Sequence, residues 1–74
     1  MALYRSDALV LRRQNLGEAD RIVTFLSRER GKMRAVARSA RRIKSKFAGA
    51  MEPLTHVHLE FYGKENTDLF RLNS

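Results

Sequence analysis

The side chains best suited to bind a ligand are the lysines and arginines of residues 28–46. This stretch holds nine of the fifteen basic residues of the chain and one of its eight acidic residues. Cations concentrated in one segment favour a polyanion site, because each can neutralise a phosphate. The alternative is a solvated basic surface, which charged segments often form. The predicted site comprises Lys32, Arg34, Arg38, Arg41, Arg42, Lys44 and Lys46.

Residues 32–38 indicate how some of these cations are positioned. Small or flexible apolar side chains at alternate positions would face a tightly packed interior, and the cations between them would lie along about 20 Å of strand at roughly 3.3 Å per residue. The inward set is Met33, Ala35 and Ala37, and the outward set is Lys32, Arg34, Val36 and Arg38. The segment therefore predicts a strand with one basic face.

Aromatic side chains that could stack on nucleobases are few, since the chain has four phenylalanines, two tyrosines and no tryptophan. Tyr4 and Tyr62 are each as consistent with packing at the edge of the fold as with stacking on a base. We expect contacts to phosphates to dominate over base recognition. The phenylalanines expected in the core are Phe25, Phe47, Phe61 and Phe70.

Two other groups of polar residues suggest metal or acid–base chemistry but lack the necessary partners. His56, His58 and Glu60 alternate and would share one strand face, yet no fourth ligand accompanies them. Glu18 and Asp20 are explained by turn chemistry. Neither a nucleophile motif nor a phosphate-binding glycine loop is present. We therefore predict no catalytic residue, no metal and no cofactor.

The remaining hydrophobic pattern is strand-like. Five segments alternate or are rich in β-branched and aromatic residues, namely 6–13, 21–27, 32–38, 54–62 and 67–72. Residues 14–20 predict a polar loop, and residues 28–31 and 63–66 predict tight turns.

A short helix is predicted over residues 47–52, where Phe47 and Met51 would share a face and Pro53 ends the helix. The resulting order β-β-β-α-β-β predicts an all-β domain with one short helix between strands three and four. This is the order of the OB-fold, a five-stranded Greek-key barrel whose second and third strands often contact oligonucleotides. Another small barrel, such as an SH3-like one, is the alternative.

Length and composition predict one small domain over residues 1–74. The chain has no cysteine, so disulfides and thiolate metal sites are excluded. Its longest apolar run, residues 8–11, is far shorter than the roughly 20 residues of a membrane helix, and its start lacks the apolar stretch of a secretory signal. We therefore expect a cytoplasmic protein without membrane contact.

Several strings of the chain, taken in order, resemble the N-terminal domain of the RecO family of bacterial recombination mediators. They are YRSDALVL (residues 4–11), GEADRIVT (17–24), GKMRAVA (31–37), ARR (40–42) and KSKF (44–47). The resemblance covers essentially the whole chain. It departs from the family pattern at Ser39, where a glycine is usual, and at Ile43, where a proline is frequent.

This resemblance implies an OB-fold and a non-enzymatic role in DNA repair and recombination. It implies binding to single- and double-stranded DNA, annealing of complementary strands, and action near the nucleoid with RecR and often RecF. It further implies that this chain is the N-terminal fragment of a longer protein. A helical C-terminal domain would follow and contact single-strand-binding protein.

The residues alone leave three other functions open. An RNA-binding OB module of translation or ribosome assembly would use the same cations and would be distinguished by recognition of the 2′-hydroxyl. A protein-binding adaptor would direct the cations at an acidic partner and would not anneal strands. An enzyme would depend on His56, His58 or Glu60.

Overall fold

The computed structural model describes residues 2–41 and 51–73, which form a closed five-stranded barrel. The strands are β1 (Ala2–Leu16), β2 (Asp20–Ser27), β3 (Gly31–Ala37), β4 (His56–Gly63) and β5 (Phe70–Leu72). They pair in the order β1-β2-β3-β5-β4, and β4 returns to β1. Only β3 and β5 run parallel. This topology confirms the predicted OB-fold.

The long strand β1 closes the barrel because its two halves have different neighbours. Its first half pairs with β4, from Ala2 opposite Gly63 to Leu9 opposite His56. Its second half pairs with β2 from Ala8 onwards, and a register shift between Val10 and Arg12 bends the strand within this pairing. One strand can therefore belong to both sides of the barrel.

The predicted loop over residues 14–20 is mostly strand. Gln14 pairs with Ile22 and Leu16 pairs with Asp20, so β1 and β2 form a hairpin whose turn covers residues 17–19 only. Gly17 permits this turn through its positive φ of 64°. The prediction was wrong because these polar side chains are exposed, where polarity does not oppose strand pairing.

The fifth strand was predicted over residues 67–72 but begins at Phe70. Thr67 accounts for the difference, because its hydroxyl accepts a hydrogen bond from Leu69 N at 3.2 Å and lies 3.0 Å from Leu69 O. Such a local side-chain bond offers the backbone an alternative to the sheet. The other predicted strands β2, β3 and β4 agree within one or two residues.

The predicted helix over residues 47–52 lies largely outside the described residues. Its described end, Met51 and Glu52, is not helical but leads into the turn at Pro53 and Leu54. Leu54 N donates to Val10 O at 2.7 Å, and Val10 N donates to Thr55 O at 2.9 Å. These bonds hold the turn against β1 before β4 begins. No helix that could cross a membrane is found in residues 2–41 and 51–73.

The core is filled by the inward-facing residues of all five strands, which include a cluster of aromatic rings. Ala35 and Ala37 are fully buried on β3, which confirms the predicted inward face of that strand. Phe61 lies at the centre of the aromatic cluster, with ring centroids 5.4 Å from Phe25 and 5.5 Å from Phe70. The predicted core positions of these three phenylalanines are confirmed, whereas Phe47 lies outside the described residues.

The turn after β3 contains a residue in the left-handed region, Ser39, with a φ of 59°. Its amide donates to Asp20 Oδ1 at 2.6 Å, which fixes the turn against the start of β2. The same bond explains Asp20 as a structural carboxylate. Glycine adopts this backbone conformation without the steric cost that a Cβ brings.

We expect Ser39→Gly to raise the free energy of unfolding by about 0.5–1 kcal/mol, because relief of the left-handed strain outweighs the added entropy of the unfolded chain. Ser39→Ala is the matched control, since it removes the hydroxyl but retains the Cβ, and it should give no gain. Urea unfolding followed by circular dichroism measures both. An equal gain in the two variants would show that the hydroxyl, and not the backbone, causes the strain.

Candidate nucleic-acid interface

The outer surface of β3 carries exposed cations of the candidate site. Lys32 and Arg34 point outward from β3 because the residues that alternate with them along the strand face the core. Arg38 is exposed immediately after the strand. On one strand face such side chains stand about 6.6 Å apart. The structure thus places three of the predicted site residues on or beside one outward face.

Arg12, on β1, joins the same surface through strand pairing. Thr24 on β2 lies opposite Arg34 on one side and opposite Arg12 on the other. Directly opposed residues point to the same face of a sheet, so an Arg–Thr–Arg row crosses three strands. Thr24 is only 2% exposed although it faces outward, in keeping with its place between two long arginine side chains. We call Arg12, Lys32, Arg34 and Arg38 the basic face.

Sequence reasoning missed Arg12, and the reason is the register shift. Simple alternation from the start of β1 places buried residues at Ser6, Ala8 and Val10, and would place Arg12 inside the barrel. The irregularity between Val10 and Arg12 inverts the alternation, so that Arg12 points outward. Two arginines in succession, Arg12 and Arg13, were the available signal for a bulge in this strand.

The charges of the basic face are not neutralised by the protein. All eight aspartates and glutamates lie within residues 2–41 and 51–73, and among these residues no ion pair involves Lys32, Arg34 or Arg38. The carboxylates instead pair with Arg5, Arg13 and Arg28. Three cations of one sign on one surface give a strong local positive potential, which attracts a polyanion.

The basic face is bounded on one side by carboxylates. Glu65 and Asp68, in the loop between β4 and β5, line a groove with Lys32 and Arg34 at the beginning of β3. Phosphates would be repelled from the far side of this groove. A polyanion is therefore favoured on the parts of the surface that face away from Glu65 and Asp68, along β3 beyond Arg34 and across β2 to Arg12.

Arg41 lies apart from the strand face. Its amide donates to Ala19 O at 3.0 Å, and its Nη1 donates to Gly17 O at 2.8 Å, so the side chain is held at the β1–β2 turn. One edge of the Arg41 guanidinium is thus bound to the backbone of the protein, although the residue as a whole is exposed. The remaining predicted site residues, Arg42, Lys44 and Lys46, lie outside the described residues.

His58 and the carboxylates of β1 and β4 are joined by a hydrogen bond and by ion pairs with arginines. His58 Nδ1 lies 3.1 Å from Asp7 Oδ1, and this hydrogen bond, with the nearby charges of His58, His56 and Arg28, lowers the pKa of Asp7. Arg5 Nε donates to Glu60 Oε2 at 2.9 Å. In the described part of the chain, no three histidine, cysteine or acidic residues are grouped to hold a metal ion.

Glu60 occupies a second such cluster. Its carboxylate accepts hydrogen bonds from Arg5 and from the Asn73 amide, and these bonds, in that order of size, lower its pKa. A carboxylate with a lowered pKa stays ionised and accepts no proton near neutral pH, which is the opposite of what general acid catalysis requires. The geometry thus indicates a structural role for Glu60.

The chain matches the family described as "Recombination protein O N terminal" over residues 1–74. It is 56% identical over 64 residues to the DNA repair protein RecO of Streptomyces coelicolor, which covers 86% of this chain and 26% of that protein. It is 54% identical over 66 residues to DNA repair protein RecO of a Nocardioides species, covering 89% of this chain and 27% of that protein. The chain thus spans about a quarter of the length of these relatives. It belongs to the Recombination protein O N-terminal family.

Proposed function

We propose that this domain binds single-stranded DNA through the basic face and serves in recombinational DNA repair. The observation that carries the proposal is a set of cations without carboxylate partners, three on or beside β3 and one on β1, that border the outer surface of β2 and β3. These are the strands that OB-folds commonly use to contact oligonucleotides. The names of the relatives, DNA repair protein RecO, support DNA as the polyanion.

Binding of this kind is directed at the phosphates and leaves the bases largely free. Such binding also favours annealing, because cations between two strands offset their mutual repulsion while the bases remain available for pairing. We therefore propose annealing of complementary strands as the activity that follows from the basic face. Double-stranded DNA presents the same phosphates and is a second ligand of this surface.

The site proposed from the sequence extends beyond the basic face. Arg41, Arg42, Lys44 and Lys46 would continue the cationic track past β3. A RecR-like partner and single-strand-binding protein remain proposed partners, the latter through a C-terminal domain. We propose that the role is non-enzymatic and that the protein acts in the cytoplasm, in association with the nucleoid.

The test is the salt dependence of binding to a labelled single-stranded oligonucleotide for the wild type and for Arg34→Gln/Arg38→Gln. If four to six phosphates are neutralised, the log–log slope of the wild type should be about −3 to −4. Loss of two contacts should make the slope shallower by about 1.4 and weaken binding about tenfold near 0.1 M salt, for every base sequence. Annealing of complementary oligonucleotides should slow in parallel.

A matched control is Arg5→Gln/Arg28→Gln, which changes the net charge equally but removes cations already paired with Glu60 and Asp7. It should bind almost as the wild type does. Equal weakening in the two double variants would show that net charge, and not the basic face, determines affinity. A ribo-oligonucleotide of the same sequence tests the RNA alternative, which would bind it preferentially.

A further inference from the structure

A shallow hollow lies beside the basic face, on the outer surface of β3, β5 and β4. Its lining includes Val36, Tyr62, Lys64, Phe70 and Arg71. The hollow thus combines an aromatic ring and apolar carbon with two cations. This is the combination by which proteins bind single-stranded nucleic acid, with the base on the aromatic face and the phosphates on the cations.

The hollow continues the basic face through strand pairing. Arg71 lies opposite Val36 on one side and opposite Tyr62 on the other, so the three residues form one outward row. Val36 is two residues from Arg34 on the same face of β3, a separation of about 6.6 Å. Tyr62 lies two strand spacings from Val36, or about 10 Å. A strand bound at Arg34 can therefore reach Tyr62 within a few nucleotides.

The surroundings of the two tyrosines decide which one is available for stacking. The Tyr4 ring packs on Phe61 at 5.6 Å and against Phe70 at 5.8 Å, and the Arg30 guanidinium lies 3.9 Å from its centroid. Both of its faces are therefore engaged within the protein. Tyr62 is half-buried and has no stacked aromatic partner among the described residues.

Arg71 is positioned to support a base on Tyr62. Its guanidinium lies 6.0 Å from the centroid of the Tyr62 ring, at the outer limit of a cation–π contact. A contact this long is weak, so a flat ligand that stacks on the ring loses little by displacing it. The guanidinium itself can move towards a phosphate that flanks the stacked base, because Arg71 is exposed.

We propose that this hollow accepts one unpaired base of a bound DNA strand, stacked on Tyr62, with Arg71 and Lys64 on the flanking phosphates. The inference rests on the proposed function, since the strand reaches the hollow from the basic face. Stacking is tolerant of base identity, because every base has a π-face. The subsite therefore adds affinity for strands that carry an unpaired base. It favours them over abasic strands, which offer only the backbone, and over duplexes, whose bases are paired.

The first test compares a thymidine oligonucleotide with an abasic oligonucleotide of equal length, which has the same phosphates. The wild type should bind the abasic strand about tenfold more weakly. Tyr62→Ala should bind the thymidine strand about tenfold more weakly than the wild type, with an unchanged salt slope, and should not distinguish the two strands. Tyr62→Phe, which keeps the ring, should behave as the wild type does.

Tyrosine fluorescence provides a second measurement that does not depend on a disruptive variant. The chain has no tryptophan and two tyrosines, so Tyr4→Phe leaves Tyr62 as the only strong emitter. Addition of the thymidine oligonucleotide should quench this emission, because stacking brings the base against the ring. The abasic strand should bind with much less quenching.

The outcomes separate this inference from the proposed function. If Tyr62→Ala binds both strands as the wild type does and Tyr62 emission is unchanged, while Arg34→Gln/Arg38→Gln is weakened, the base subsite is wrong and the basic face stands. If the wild type binds neither strand, both proposals are overturned. Weak binding by Tyr62→Ala without quenching in Tyr4→Phe would assign a structural role to Tyr62 and would also overturn the subsite.

Discussion

Phe61→Ala is expected to lower the free energy of unfolding by about 3–5 kcal/mol, the largest effect of any single substitution considered. The side chain is fully buried and contacts Tyr4, Phe25 and Phe70 at ring-centroid distances of 5.4–5.6 Å. Removing it leaves a cavity at the centre of the aromatic cluster. A domain of 74 residues has a total stability of about 4–11 kcal/mol, so most of the stability would be lost.

Urea unfolding monitored by circular dichroism tests this expectation. Leu26→Ala is the control, because Leu26 lies on the outer face of β2 and is 46% exposed. Its cost should stay below about 1 kcal/mol, as for surface substitutions in general. Similar losses in the two variants would contradict the assignment of Phe61 as the centre of the core.

Gly63→Ala is expected to cost about 3 kcal/mol, although it adds a single methyl group. A Cβ at this position would lie 2.9 Å from Phe70 Cδ2 and 3.0 Å from Thr67 Cγ2. Both contacts are closer than carbon atoms tolerate, so either the ring of Phe70 or the end of β4 must move. Overpacking of this kind costs about 1–3 kcal/mol, and a clash on two sides places this variant at the upper end.

A double-mutant cycle with Phe70→Leu, measured by urea unfolding, tests whether the clash with the Phe70 ring causes this loss of stability. Shortening the ring removes the closest contact, so Gly63→Ala should cost less in the Phe70→Leu background than in the wild type. Additive losses would show that the alanine acts through the backbone and not through the clash. Gly63 also lines the hollow beside Tyr62, so the same cycle reports on the packing beneath that site.

The alternation of residues within strands was predicted well because it depends on neighbours close in sequence. Successive side chains on a strand point to opposite faces whatever the strand pairs with. The inward alanines and outward cations of β3, and the buried Leu59 and Phe61 of β4, follow from this rule and agree with the structure. The order of strands then sufficed to predict the barrel.

The errors lie where a particular hydrogen bond, distant or local, outweighs the preference of the residue type. Gln14 and Asn15 read as loop residues, yet pairing with β2 extends the strand through them. Thr67 reads as a strand residue, yet its hydroxyl bonds to Leu69 and delays β5. In both cases the deciding hydrogen bond is invisible in residue type alone, because it depends on which group lies within reach.

The sequence by itself determined that the domain is an all-β barrel with a concentration of cations around its third strand. Only the tertiary structure decided that Arg12 joins those cations, that the Tyr4 ring packs on Phe61 and Arg30, and that Gly63 has no room for a side chain. These features depend on barrel closure, which sets residues far apart in sequence side by side. Residue spacing fixes the face on which a side chain lies, but pairing between distant strands fixes its neighbours.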